Sequence, residues 1–238
     1  MHQFEIQRIV RLDILGYDMS FTNSSLFMVL ALAAIALFFF TAMRSRRLVP
    51  TRLQSMAEMV YEFVANMVRS NVGEAGMKYF PFVFTIFIFI LVLNLLGMLP
   101  YAFTVTSHII VTFALAATVF LVVTAIGFMN HGLGYLKLFV PHGVPLWLMP
   151  VIVPIEVISY LIRPVSLSVR LFANMMAGHT MLKVFAGFVI SLGLVGGWAP
   201  LLFMVPFTGL EVVVALLQAF VFSVLTCIYL NDAINMHH

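Results

Sequence analysis

The chain has 238 residues, of which 63% are hydrophobic and only 9% are charged, and its net charge is +3. Soluble domains carry about 25% charged residues, so this composition excludes a soluble fold. The charges are also segregated, because none falls within residues 19–43, 79–136, 184–210 or 212–231. A helix of about 20 apolar residues crosses the hydrocarbon core of a bilayer. The sequence therefore predicts an all-α integral membrane protein.

The positive charge comes largely from one cluster of arginines that follows the first apolar run, at 44, 46, 47 and 52. Basic residues favour the inner side of a membrane, so the cluster indicates orientation and predicts an outer N-terminus. It does not indicate nucleic-acid binding. Acidic residues precede the same run, which is unusual for a signal peptide, and the basic residues that end the run are typical of a retained anchor. Cys227 is the single cysteine, so no internal disulfide can form.

In chain order, the predicted elements begin with an outer N-terminal segment at 1–20 and a first span at 21–43. The pattern changes at 50–72, where apolar residues recur every three or four positions opposite charged ones. The apolar positions are Leu53, Met56, Val60, Phe63 and Met67. This periodicity is typical of an amphipathic helix lying in the inner interface. A plain cytoplasmic connector is the alternative.

Two further spans are predicted at 79–99 and 108–129, joined by a short outer connection. A longer inner connector then leads to two long segments, 149–190 and 198–233, which turn around the sequence GGWAP. Each exceeds the length that a perpendicular helix needs, so we expect both to be tilted or partly unwound. The prediction is one membrane domain with five membrane-crossing helices and one interfacial helix, the last two long, tilted and antiparallel.

Formal charges are few in these last two segments, and before the C-terminal tail they are confined to Glu156, Arg163, Arg170, Lys183 and Glu211. A charged side chain at the bilayer centre costs roughly 2.5–3.5 kcal/mol on insertion scales, so these positions are informative. Glu156, Arg163 and Arg170 are spaced seven apart and therefore share one helix face. Asn174 continues that face.

In an antiparallel hairpin, the numbers of facing residues add up to a nearly constant value. Arg170 would then face Gln218, and His179 would face Glu211. Small residues that permit close approach lie nearby, namely Ala177, Gly178, Ala215 and Ala219. The pattern predicts a polar path along the hairpin, interrupted by one fixed positive charge.

Arg170 is the hardest of these residues to explain by structure alone, because no acid on its helix face lies near enough to neutralise it. The others each have a plain structural interpretation. Arg163 and Lys183 could extend to an interface, and Glu156 could cap the inner end of its helix. Interhelical hydrogen bonds or a buried structural pair would explain the rest: Asn174, His179, Glu211 and Gln218.

The sequence shows no phosphate-binding glycine loop, no closely spaced set of metal ligands and no nucleophile with a base. We therefore predict no cofactor, no metal and no catalytic activity for the chain by itself. Three histidines, His108, His131 and His142, fall in predicted connectors and are not interpreted as ligands.

Around the second arginine the sequence resembles subunit a of the F-type ATP synthase, the membrane stator of its proton channel. RPVSLSVRLFANMMAGH at 163–179 carries the strongest resemblance, and PIEVISYLIRP at 154–164 adjoins it. LLQAFVFSVLTCIYL at 216–230 is similar to the C-terminal helix of that family, and NLLGMLP at 94–100 to another of its segments. The resemblance covers about residues 20–235.

The resemblance implies that Arg170 is the essential arginine facing the ion-binding carboxylate of the rotating c-ring. It implies an inner half-channel at Glu156 and an outer half-channel at Asn174, His179, Glu211 and Gln218. Many bacterial members of the family have an acid where this chain has His179 and a histidine where it has Glu211. The pair is reversed here, which keeps both groups but leaves the details of the path open.

The implied partners are the c-ring subunits, the peripheral-stalk b subunits, the remainder of the F1Fo complex and the lipid bilayer, without nucleic acid. The transported ion is expected to be H+, and the location a bacterial inner membrane, with the mitochondrial inner membrane as the alternative. Two other functions remain open. The chain could be a secondary transporter that binds an anionic solute at Arg170, or a purely structural membrane subunit.

Overall fold

The computed structural model describes residues 8–10, 13–14, 17–18, 21–44, 50–99, 103–140 and 148–235. Six α-helices make up most of this part: α1 Asn23–Met43, α2 Arg52–Val72, α3 Phe80–Gly97, α4 Ile109–His131, α5 Met149–Gly196 and α6 Trp198–Ile234. Short 3-10 turns lie at Glu74–Tyr79, Val105–Ser107 and Gly132–Phe139. The prediction of an all-α membrane protein is confirmed, since five helices are long and apolar enough to cross a bilayer.

Within the described residues, extended structure is limited to two short antiparallel pairings before α1. Arg8–Val10 pairs with Phe21–Thr22, and Asp13–Ile14 pairs with Tyr17–Asp18. The sequence analysis predicted an outer segment here and did not anticipate these pairings. Strands of two or three residues are too short to give a pattern of alternating side chains.

Helix α1 begins where the Thr22 side chain accepts a hydrogen bond from the backbone N–H of Ser25. It is apolar around its whole circumference, and most of its large side chains are exposed on the surface of the protein. A helix with no polar face is expected where the surrounding solvent is lipid.

Helix α2 is amphipathic, as its sequence pattern predicts. Thr51 caps its start by accepting from the N–H of Gln54, and Gly73, with φ of 84°, ends it. Its apolar face packs against the neighbouring helices, since the Phe63 ring lies 5.7 Å from the rings of both Phe87 in α3 and Phe220 in α6. The helix is thus part of the helical bundle and not a detached connector.

Helices α5 and α6 are antiparallel, because contacts along α5 fall in reverse order along α6. From the turn inward they pair Phe185 with Phe207, His179 with Glu211, and Arg163 with Asp232. The turn forms where Gly193 adopts φ of 57° and interrupts α5. Helical backbone resumes after this interruption, so α5 ends at Gly196, six residues beyond its predicted end at 190.

The core is formed mainly where α2, α3, α4 and α6 meet. Its largest fully buried side chains include Val68, Val83, Ile90, Phe222 and Leu230. Helix α5 lies at one side of this core and contributes Leu167 and Leu171, while many of its other apolar side chains are exposed. This arrangement places the polar residues of α5 between the packed bundle and an open apolar surface.

Candidate functional site

His179 and Glu211 meet across the α5–α6 hairpin. Nδ1 of the imidazole lies 3.4 Å from Oε1 of the carboxyl group, and the two side chains are only 12% and 7% exposed. The atoms are within ion-pair distance but are not aligned as a hydrogen bond, so Oε1 has no hydrogen-bond partner in the described structure. The arrangement places two titratable groups in contact away from water.

The close approach depends on a glycine next to the histidine. A Cβ atom at Gly178 would lie 2.8 Å from Glu211 Oε1, so any larger residue would displace the carboxyl group. Ala215, one turn after Glu211 on α6, is fully buried. Small residues therefore create the space in which the carboxyl group lies, which is the role that the sequence suggests for them.

Thr104 is a third member of this cluster, and it comes from the connection between α3 and α4. Its Oγ1 lies 3.2 Å from Nε2 of His179 and also donates a hydrogen bond of 3.2 Å to the backbone carbonyl of Gly97. Thr104 was not among the predicted site residues. The available signal was the hydroxyl-rich sequence TVTS, which stands between two apolar spans.

Asn174 lies one turn of α5 before Gly178 and lines the same space as Glu211. A cavity of about 250 Å³ lies between the two helices, and its walls include Asn174, Gly178, Glu211 and Phe207. Because Asn174 is also one turn from Arg170, the cavity extends from the carboxyl group towards the arginine.

Arg170 is exposed on α5, whereas Leu167, three residues before it, and the adjacent Leu171 are buried. The guanidinium forms no hydrogen bond or ion pair with any other residue in the described ranges. The exposed side chains next to it on α5 are uncharged, namely Ser166, Val169 and Ala173. The structure thus leaves one permanent positive charge on an otherwise uncharged surface, in the middle of a long helix.

Gln218 does not contact Arg170 through a hydrogen bond, although the sequence pattern places the two residues opposite each other. Its side chain is 8% exposed and lies beside Ala215 and Ala219 on the packed face of α6. The amide of Asn94, which is fully buried in α3, donates 3.3 Å to the Ala215 carbonyl. Asn94 is the first residue of the NLLGMLP segment, and its contact with the hairpin was not predicted.

Glu156 lies in the second turn of α5 and is partly buried. It forms no hydrogen bond or ion pair with the described part of the chain. The structure therefore keeps it apart from the cluster around His179, at the end of α5 that the predicted orientation assigns to the inner side.

Arg163 has a partner that the sequence analysis did not identify. Its Nη1 lies 2.9 Å from Oδ2 of Asp232, near the end of α6, and both side chains are partly buried. The guanidinium also lies between two aromatic rings, 5.3 Å from the centroid of Tyr160 and 5.0 Å from that of Tyr229. Arg163 is neutralised inside the chain, so it does not need to extend to an interface.

Two of the three connector histidines can be placed. The His131 imidazole lies 3.1 Å from the Ile234 carbonyl, and the His108 ring stacks on Phe103 with centroids 4.9 Å apart. His142 lies outside the described residues. Within the described ranges no three His, Cys, Asp or Glu side chains are arranged to hold a metal ion.

The fold and this site define an α-helical membrane protein with a buried series of hydroxyl, imidazole and carboxyl groups beside an exposed arginine. A family model described as ATP synthase A chain matches residues 25–231. Since this match covers most of the sequence, the chain belongs to that family. Membership makes it a non-catalytic subunit of the Fo sector and implies proton translocation.

Curated relatives support the same assignment over the full length. The chain is 62% identical to ATP synthase subunit a of Pelagibacter ubique over 239 residues, covering 100% of this chain and 98% of the relative. It is 60% identical to the subunit a proteins of Rhodospirillum rubrum and Mesorhizobium japonicum, with 100% of this chain covered and 98% and 97% of the relatives. These relatives are bacterial.

Proposed function

We propose that this chain is the stator that gives c-ring carboxylates access to two offset half-channels, separated by Arg170. Proton flow through the half-channels would then drive ring rotation and ATP synthesis. The exposed, un-neutralised guanidinium of Arg170 is the observation that carries this proposal. The proposed setting is a bacterial inner membrane, with the c-ring, the b subunits and the rest of the F1Fo complex as partners.

The environment of Arg170 favours an anionic partner on another chain. A fixed charge within an apolar layer is costly unless it is neutralised. Arg163 meets that requirement through Asp232, whereas Arg170 has no acid among the described residues. The uncharged side chains exposed around Arg170 suit contact with a second helix, and a carboxylate on that helix would neutralise the charge.

The chemistry of such a contact suits proton release. A carboxyl group surrounded by lipid stays protonated, because desolvation disfavours its anion. A guanidinium nearby reverses that balance, so the proton leaves as the carboxyl group arrives. Arginine keeps its own proton at any workable pH, whereas a buried lysine can become neutral. A permanent cation also prevents protons from passing directly between the half-channels.

The cluster beyond Arg170 supports an outer half-channel. His179 and Glu211 are groups that can accept and release protons, and the cavity extends from Glu211 to Asn174. Gln218 lies seven residues after Glu211 on α6 and adds a polar group on the packed side of the hairpin. We propose that protons move along these residues between the outer surface and the c-ring.

Glu156 is proposed to serve the inner half-channel, because it lies at the opposite end of α5 and has no neutralising partner in the described structure. Arg170 then separates the two access routes. Each proton that crosses the full potential gains about 2.3 kcal/mol per 100 mV, which biases the direction of rotation.

The test is ATP-driven proton pumping in membrane vesicles that contain the whole complex, with Arg170→Ala and Arg170→Lys variants. Both variants should assemble and lose coupled pumping, since neither keeps a permanent, correctly placed guanidinium. Normal pumping by Arg170→Ala would overturn the proposal. Solute transport that needs Arg170 but not the c-ring would instead identify a secondary transporter.

A further inference from the structure

We propose that Thr104 positions His179 by holding its imidazole as the Nε2–H tautomer. Nδ1 is then the nitrogen that exchanges a proton with Glu211. Thr104 would thus be a positioning residue for the outer half-channel, although it lies outside the hairpin that contains the other proposed path residues. This inference rests on the proposed function.

The tautomer follows from the number of available donors. A threonine hydroxyl has a single proton, and a backbone carbonyl can only accept. The hydroxyl proton of Thr104 is directed to the Gly97 carbonyl, so Oγ1 has only lone pairs left for His179. Nε2 must therefore carry the proton that joins the two side chains.

The other ring nitrogen is left free to titrate. In neutral imidazole only one nitrogen is protonated, so Nδ1 has a lone pair, and it lies 3.4 Å from Glu211 Oε1. Oε1 has no other hydrogen-bond partner among the described residues. A small rotation of the carboxyl group would place one shared proton between these two atoms.

The transfer step is balanced within the pair. The Oε1–H bond of Glu211 breaks, its electron pair stays on the carboxylate, and an Nδ1–H bond forms on His179. The product is an imidazolium beside a carboxylate, and the total charge of the pair does not change. Thr104 accepts from Nε2–H in both states, so it lowers the reorganisation that the transfer requires.

The position of Thr104 is fixed by its neighbours. Its side chain is 2% exposed, and its backbone carbonyl accepts a 2.7 Å hydrogen bond from the Ser107 hydroxyl. A Cβ atom at Gly97 would lie 2.9 Å from Thr104 Cγ2, so the glycine allows the loop to pack closely against α3. A hydroxyl held in this way can select one orientation of the imidazole.

Few other charged groups lie around the imidazole. Glu211 approaches from α6, and Lys183, one turn further along α5, is a cation whose field reaches the ring. The loop contributes His108, and α3 has no titratable side chain. The only titratable group of α4 is His131, at the opposite end of that helix.

Without the hydroxyl, two changes are expected. The neutral imidazole could place its proton on Nδ1, which would leave no acceptor facing Glu211. The imidazolium would also lose the acceptor for Nε2–H and would form only at higher proton concentration. Proton entry through the outer half-channel should then fail first at alkaline pH.

The experiment measures ATP synthesis by proteoliposomes that contain the whole complex, driven by a fixed membrane potential, while pH on the outer-channel side is varied. Thr104→Val should move the alkaline limb of the pH profile to lower pH by about one unit, the size expected for losing a hydrogen bond to a charged group. Thr104→Ser should restore the native profile. Thr106→Val is the matched control, because its Oγ1 is equally buried and has no hydrogen-bond partner among the described residues.

An unshifted profile for Thr104→Val would overturn the inference, as would an equal loss at every pH or the same shift in Thr106→Val. If the valine variant fails to assemble, Thr104→Ala removes the same hydroxyl without adding bulk and must show the same shift. These outcomes are separate from the proposed function. Failure of the stator proposal would appear as ATP synthesis that does not depend on Arg170.

Discussion

The open end of the α5–α6 hairpin and the half nearer its turn differ in how their charged groups are neutralised. At the open end, Arg163 forms a 2.9 Å ion pair with Asp232 and lies between two tyrosine rings. The Tyr160 hydroxyl is itself 2.6 Å from the Thr124 hydroxyl and 3.0 Å from that of Tyr135. In the half nearer the turn, Glu211 Oε1 is buried without a hydrogen-bond partner among the described residues.

The difference distinguishes polar groups that stabilise the fold from polar groups that are proposed to carry protons. A closed ion pair with satisfied neighbours is suited to hold two helices together, because any motion would expose a charge. Buried polar atoms without partners are costly, so that of Glu211 needs an explanation, and the proposed proton path provides one. Arg170 lies between the two regions and shares neither pattern.

The largest effect is expected from a comparison of the same substitution at Arg170 and at Arg163. Arg170→Ala should reduce ATP-driven proton pumping at least a hundredfold, since it removes the charge that is proposed to face the c-ring. Arg163→Ala should lower pumping only as far as the amount of assembled complex falls. Both are measured by proton uptake in vesicles, normalised to assembled complex. Equal losses per assembled complex would erase the distinction between the two ends.

The second effect concerns the space around Glu211. Gly178→Ala places a Cβ atom 2.8 Å from Oε1 and must displace the carboxyl group, so pumping should fall about ten- to a hundredfold. Gly187→Ala is the control on the same helix, because a Cβ there meets nothing within 4 Å. It should retain native pumping. Similar losses in both variants would indicate a general effect on α5 and not a displaced carboxyl group.

The third effect tests whether the ion pair between Arg163 and Asp232 stabilises the fold. Asp232→Asn should lower the free energy of unfolding by about 1–3 kcal/mol, between the values for exposed and fully buried pairs. Arg163→Met combined with Asp232→Asn should recover most of that loss, because no charge is then left without a partner. Denaturant unfolding of the four proteins in detergent gives the coupling energy. Additive losses would show that the two side chains do not stabilise each other.

The smallest effect is a pH dependence at His108, in the connection between α3 and α4. Burial lowers the pKa of His108 below its ordinary value of 6.5, and its Nε2 has no hydrogen-bond partner in the described structure. The unfolded chain therefore binds more protons than the native one as pH falls below about 6.5, and stability decreases there. His108→Phe keeps a ring against Phe103 but cannot titrate. Its thermal stability should fall less between pH 7.5 and 5.5 than that of the native chain, and an equal fall would contradict the assignment.

Much of the fold was predictable from local pattern. Uncharged runs gave the number of spans, and the arginine cluster after α1 gave the expected orientation. The spacing of Arg170, His179, Glu211 and Gln218 predicted which faces of α5 and α6 would meet, and the structure brings His179 to Glu211. The expected approach of Gln218 to Arg170 does not produce a hydrogen bond, because Gln218 turns into the packed face of α6.

The residues that the sequence analysis missed all make contacts between distant segments. Thr104 is 75 positions before His179, Asn94 is 121 before Ala215, and Asp232 is 69 after Arg163. No periodic pattern links such positions. Their meeting depends on the path of the α3–α4 loop and on how far α6 continues past its apolar run.

The sequence by itself determined that this is a membrane protein of long apolar helices with one arginine that its own helix cannot neutralise. Helix length, apolar runs and residue spacing are local properties, and the bilayer acts on them directly. Only the tertiary structure decided which arginine has a partner within the chain and which hydroxyl orients His179. Those contacts arise from the register and crossing of helices far apart in sequence, which packing alone sets.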